Sequence, residues 1–185
     1  MVTRQEALAM LEAAGIAGGQ LHHALESEAV LRGLAERLGQ DPDVWGLTGL
    51  LHDLDFPQTR DTPERHGIVG AETLAGNLPQ EATDAIRAHN GDLNGYPPKT
   101  TLDFALRCGE SVTGLVAANA LIRPTGMVGM KPKSLKKKMK ARAFAANVNR
   151  EIIGECERLG LDLGDFFQIA IDAITPLAEE VGLTK

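Results

Sequence analysis

Glycine and proline in this 185-residue chain fall at the ends of helix-period segments more often than inside them, and that punctuation constrains the fold more than any other feature. Thr3 with Glu6 and Thr100 with Asp103 have the spacing of capping boxes. Asp41 with Pro42 and Thr62 with Pro63 pair an N-cap with a first-turn proline. The pattern predicts helices from Thr3 to about Gly15, Gln20 to Leu38, Pro42 through Leu50, Glu64 to Ala75 and Gln80 to His89. A loop over 91–99 follows, then a long helix from Thr100 to Leu121. A second loop holds Gly126, Gly129 and Pro132. Beyond it the pattern predicts a basic helix from Ser134 to about Leu159 with one break, and a last helix from Asp165 to Gly182, bent at Pro176. No segment alternates as a strand does. The expectation is an all-α fold.

The length fits one domain, with its helical core over about 18–123 and further helices over 131–182. Aromatic residues are only 4 %, so aliphatic side chains must build the core. The net charge of -6 hides an asymmetry: from Ser111 to Arg150 there are nine bases and no acid, while the remaining 145 residues hold 25 acids and ten bases. An acidic chain argues against general nucleic-acid binding, but a confined cationic stretch suits a single anionic group. The sequence has neither a leader-like start nor an apolar run long enough for a bilayer, so a soluble cytoplasmic protein is expected, with no membrane partner. Cys108 and Cys156 form no pair motif and are read as two buried thiols.

All five histidines lie between His22 and His89. His23 shares a helix face with Ser27, Val30, Leu34 and Leu38 and should point inward, whereas His22 shares the more polar face of Glu26, Ala29, Gly33 and Arg37 and should point outward or stand behind the ligating residues. His52 and Asp53 are neighbours at a helix end, where two adjacent side chains can reach one ion and a carboxylate can bridge two. His66 is expected in the first turn of its helix beside Gly67 and Gly70, small residues that admit a close approach; His89 closes the next helix.

In combination, these residues and the strings LHHALESEAVLRGLAERLG, WGLTGLLHDLDF, RHGIVGAETL, AIRAHN, ALRCGESVTGLVAANALIRP and KPKSLKKKMKARAFAANVNREI resemble the HD superfamily of metal-dependent phosphohydrolases, in a bacterial branch of predicted hydrolases. The resemblance implies a single HD-like helical domain with extra C-terminal helices. It implies one or two divalent ions, held by His23, His52, Asp53 and Glu110 on one side and by Asp53, His66 and His89 on the other. Glu110 stands where much of the superfamily has Asp. Leu54 and Asp55 follow the His-Asp pair where several relatives have a glycine at the second position; with Asp53, Asp55 is a catalytic candidate, its role open between supporting acid, proton donor and helix-end carboxylate.

Imidazoles with carboxylates suit Mn, Fe, Co, Ni, Zn or Mg. The implied activity is hydrolysis of a small phosphorylated substrate, a nucleotide or a phosphomonoester, by water activated at the metal. A di-iron oxygenase and a catalytically silent, metal-stabilised binding module are the two competing readings. Lys131, Lys133, Lys136, Lys137, Lys138, Lys140 and Arg142 open the basic segment, with Leu135, Met139, Ala143 and Ala146 expected to face inward. From this segment Lys133, Ser134, Lys137 and Arg150 are the candidates for holding the substrate's anion.

Overall fold

In the computed structural model, which describes residues 1–185, the chain is helical throughout and has no strand, only an isolated bridge between Ala75 and Leu78. The helices are α1 (Arg4–Ala13), α2 (Gly19–Leu38), α3 (Pro42–Leu51), α4 (Phe56–Thr59), α5 (Ile68–Thr73), α6 (Gln80–His89), α7 (Gly91–Asn94), α8 (Thr101–Ile122), α9 (Pro132–Lys140), α10 (Arg150–Gly154) and α11 (Leu163–Ile174). Short 3-10 turns cover Pro63–Arg65, Glu155–Leu159 and Thr175–Leu177. Both capping boxes form as the spacing predicts: Thr3 and Thr100 accept the amides of Glu6 and Asp103, whose carboxylates accept the cap amides in return. None of these helices is long and apolar enough to cross a membrane.

Helix α2 is the axis of the packing and lies against α3, α8 and α11, while α6 lies against α8 and α5. One connected apolar core runs from Ala7 to Leu183, so the C-terminal helices share it with the histidine-bearing half. Phe166 and Phe167 of α11 are fully buried in it beside Leu31, Leu34, Leu106 and Leu115. Burying such side chains stabilises the fold by about 1.5–3 kcal/mol each. At Gly49, α3 crosses α2 so closely that a Cβ would lie 2.7 Å from the Ser27 carbonyl oxygen. That crossing sets the end of α3, and with it His52, beside His23.

Four predicted elements differ from the structure, the first being the loop expected over 91–99, which opens with the short helix α7. The helix expected from Glu64 starts only at Ile68, because Gly67 has φ +80° and gives its amide to Asp55 rather than to a helical turn. The basic helix ends at Lys140 and does not resume until Arg150. The Arg150 guanidinium takes the carbonyls of Met139, Ala141, Phe144, Ala145 and Val148, acceptors that a continuing helix would have kept for its own amides. Consequently Ala143 and Ala146 are exposed, whereas Leu135 is buried and Met139 partly so. The last long helix begins at Leu163 on an Asp162 cap, two residues earlier than expected, and gives way to a 3-10 turn around Pro176, which has no amide hydrogen to continue it.

Candidate metal centre

Four histidines approach one another from four parts of the fold. His23 comes from the second turn of α2, His52 from the C-cap of α3, His66 from the turn after Pro63–Arg65, and His89 from the last residue of α6. Their Nε2 atoms meet in pairs: His23 to His52 at 3.2 Å and His66 to His89 at 3.1 Å. Each ring's other nitrogen is committed. His52 Nδ1 donates to the Gly49 carbonyl at 2.7 Å, and His89 Nδ1 to the Ile86 carbonyl at 2.5 Å. His66 Nδ1 donates to Asp55 Oδ1 at 2.8 Å. His23 Nδ1 donates to Thr113 Oγ1 at 2.9 Å, whose own proton goes to the Glu110 carbonyl at 2.7 Å.

Every Nδ1 therefore carries a proton, and in the neutral ring every Nε2 is a bare lone pair. Two such lone pairs facing at about 3 Å repel one another unless one ring takes a second proton, and a metal cation bound by both removes the repulsion. This donor geometry, with ring orientation fixed from behind, is the arrangement in which imidazoles bind metals, and the residues fit a divalent ion.

Asp53 lies between the two pairs. Its Oδ1 is 3.1 Å from His66 Nε2, 3.4 Å from His52 Nε2 and 3.6 Å from His89 Nε2, and its Oδ2 is 3.8 Å from His23 Nε2. Burial opposes ionisation of Asp53, but the imidazoles of His52, His66, His89 and His23 outweigh it and hold the carboxyl well below its ordinary range. His52, 1 % exposed, is pushed down to about 3 by burial and is neutral. For His66, burial works downward, yet hydrogen bonds to Asp53 and Asp55 raise it to about 9. Two groups that could hold an ion emerge: His23, His52 and Asp53, and Asp53, His66 and His89, the ligand atoms of each within 4.8 Å of one another. Asp53 belongs to both.

Glu110 is set slightly apart. Its Oε2 is 3.8 Å from His23 Nε2, its Oε1 accepts from Ser111 Oγ at 2.6 Å, and burial pushes its carboxyl up. It lines the same cavity of about 530 Å3 as the four histidines and Asp53, a size that suits a small ligand. Asp55 does not reach that cavity. It is 3 % exposed, and besides His66 it accepts the amides of Gly67 at 2.9 Å and Gly70 at 2.8 Å. Burial opposes its ionisation, but His66 and the two amides hold it below the usual carboxylate range. Gly70 has room for this carboxylate where a Cβ would sit 3.2 Å from it. The small residues beside His66 thus admit Asp55 and the backbone of α6 rather than a ligand.

The four anion candidates are not brought together in the cavity. Ser134 Oγ is bonded to the Asn119 amide group, tying α9 to α8. Lys133 and Lys137 are exposed, and neither makes an ion pair. Lys136 lies 3.7 Å from Asp162, and Lys138 sits over the Phe144 ring at 4.1 Å. Arg150 is the clearest departure, since all its N–H groups are spent on the carbonyls between Met139 and Val148, leaving no fork for a phosphate.

What lines the cavity instead is the segment this arginine holds: Asn147, Val148 and Asn149, with Ser111 and Phe56. The Asn149 side chain caps α10, whereas that of Asn147 makes no hydrogen bond within the protein. Sequence reasoning also passed over Thr113, which fixes His23, and Arg107. Arg107, 3 % exposed, grips Glu155 through two 2.8 Å bonds and donates to the His89 carbonyl at 3.2 Å. A signal for Arg107 existed: a cation three residues before Glu110, on an otherwise apolar helix, implies a distant acid.

Fold and site together define an all-helical protein with a paired His/Asp centre. The family model described as HD domain matches residues 21–141, and the chain belongs to that family, a superfamily of metal-dependent phosphohydrolases whose domains bind divalent ions. It is also similar to Ribonuclease Y of Desulfotalea psychrophila, 31 % identical over 96 residues, and of Nitratidesulfovibrio vulgaris, 30 % identical over 95 residues. Each match covers 51 % of this chain but only 18 % of the relative. No solved structure matches.

Proposed function

We propose that the protein is a metal-dependent phosphohydrolase acting on a small phosphorylated substrate. The observation that carries this reading is the set of four Nε2 atoms, each in a ring whose Nδ1 is held by a partner behind it, gathered around a carboxylate common to two ligand groups. His23, His52, Asp53 and Glu110 would hold one divalent ion and Asp53, His66 and His89 a second, drawn from Mn, Fe, Co, Ni, Zn and Mg. Such ions supply a water acidic enough to attack near neutral pH and offset the charge of a phosphoryl group. Asp53, ionised across the working range, presents Oδ1 to His66, His52 and His89 and Oδ2 to His23. Asp55 keeps the proton of His66 on Nδ1. Burial pushes the Glu110 carboxyl up and a cation beside it would draw it down again, so the longer arm serves where much of the superfamily has Asp.

The test combines metal analysis with a panel of phosphomonoesters, nucleotides and a short oligoribonucleotide, the last because the relatives are named as ribonucleases. Purified protein is expected to carry one or two equivalents of metal and to turn over members of the panel. Asp53→Ala should lose both, with activity down by on the order of 10³-fold or more: removing one charge-stabilising donor already costs 10²–10³ elsewhere, and Asp53 belongs to both ligand groups. Full metal content in Asp53→Ala and His52→Ala, or no turnover by metal-loaded wild type, would overturn the reading.

A further inference from the structure

A second cavity, of about 450 Å3, lies behind His23, between the start of α2, the middle of α8 and residues 181–183. Its wall carries an acid that the metal centre does not use. Glu26, expected from the helical pattern on the polar outward face with His22, is 4 % exposed and lines this cavity. Its carboxyl makes no hydrogen bond or ion pair, and burial alone pushes it up to about 8. A buried acid without a partner is costly to ionise, and a cationic partner reverses that cost.

The protein offers no such partner. Lys185, near the same wall, spends its ammonium on the Leu121 carbonyl at 3.1 Å. Thr113 Oγ1 is committed to His23 and the Glu110 carbonyl. What remains beside Glu26 is apolar, namely Ala117, Leu121 and Val181, together with the His22 ring. One acid above an apolar wall is complementary to an ammonium group on an aliphatic stem. The two cavities adjoin at His23 and Gly114, which line both.

We propose that Glu26 recognises the ammonium group of a substrate whose phosphate lies in the metal-centre cavity, which makes the substrate class an aminoalkyl phosphate. This rests on the phosphohydrolase reading above for the phosphate end alone. The test compares initial rates of metal-loaded wild type and Glu26→Gln on n-propyl phosphate and its ω-amino derivative. The amide copies the neutral acid that burial already favours, so the variant folds.

Wild type is expected to prefer the amino ester by about tenfold or more in kcat/KM, the preference lying in KM, and Glu26→Gln should bring the ratio of the two esters to about one. Calorimetric titration of both proteins with n-propylamine and with n-propanol separates the two failures. If no ester turns over but the amine alone binds, and only to wild type, the phosphohydrolase reading falls and the ammonium site stands. The proposal is overturned if wild type distinguishes amine from its uncharged counterpart in neither experiment, or if Glu26→Gln retains the full preference.

Discussion

The histidine-bearing half and the basic segment are both rich in polar side chains, yet they use them in opposite ways. In the first, each side chain at the centre is held from behind by a group fixed in the backbone or buried beside it: Gly49 for His52, Ile86 for His89, Asp55 for His66, Thr113 for His23. The Nε2 atoms point into a common space. In the second, the Arg150 guanidinium is turned inward to organise its own chain, and Lys133 and Lys137 face solvent. Charge density alone does not mark a binding site; what marks one is polar capacity left unspent by the protein. By that measure the metal-centre cavity and the Glu26 cavity qualify, and the Arg150 guanidinium does not.

The sharpest way to break the comparison is at Arg107, which belongs to α8 but behaves like Arg150, with a buried guanidinium spent on Glu155 and on the His89 carbonyl. Arg107→Met should destabilise the protein by about 3 kcal/mol, because removing one partner leaves Glu155 and the end of α6 uncompensated. Urea unfolding reads the change. It should also lower metal occupancy through His89. Unchanged stability would show that buried cations here are as dispensable as the surface lysines.

Asp55→Asn tests the support behind a ligand with a smaller effect. The variant keeps the size of the side chain but removes the anion that fixes the His66 proton, and metal affinity is expected to fall by about 10–100-fold while the fold persists. Competition with a chelator measures it. An unaltered affinity would reduce Asp55 to a helix-end carboxylate, one of the roles the sequence alone leaves open.

Legibility follows the same division. The bounds of α2, α3, α6 and α8 were readable within one residue at most ends because their signals are local: an N-cap with Pro42, a capping box at Thr100, a left-handed Gly39. The inward direction of His23 followed from helical period. The late start of α5 was not readable, since Gly67 answers to a carboxylate twelve residues back. Nor was the unwound stretch 141–149, whose cause is a single guanidinium that reaches back along its own chain. Glu26 was misplaced for a related reason: its helix face looks polar by composition, but the C-terminal residues around Val181 close over it. Periodicity shows which residues share a face, and not what that face will meet.

The smallest expected effects distinguish the two kinds of cation inside the basic segment itself. Arg150→Lys keeps the charge but replaces five fixed donors with three on a flexible stem, too few for five carbonyls, so the stretch 141–149 should loosen at a cost of about 1–2 kcal/mol. Amide exchange over those residues should quicken, and because Asn147, Val148 and Asn149 line the metal-centre cavity, KM for any substrate should rise more than kcat falls. Lys133→Ala and Lys137→Ala, by contrast, should change stability by less than about 0.5 kcal/mol and leave exchange in that stretch unaltered. If Arg150 served mainly as a positive charge for substrate phosphate, lysine would substitute for it with little change in exchange, and the two lysine variants would raise KM together with it. Rapid exchange in Arg150→Lys alongside normal KM in both lysine variants assigns the segment's role to shape rather than charge.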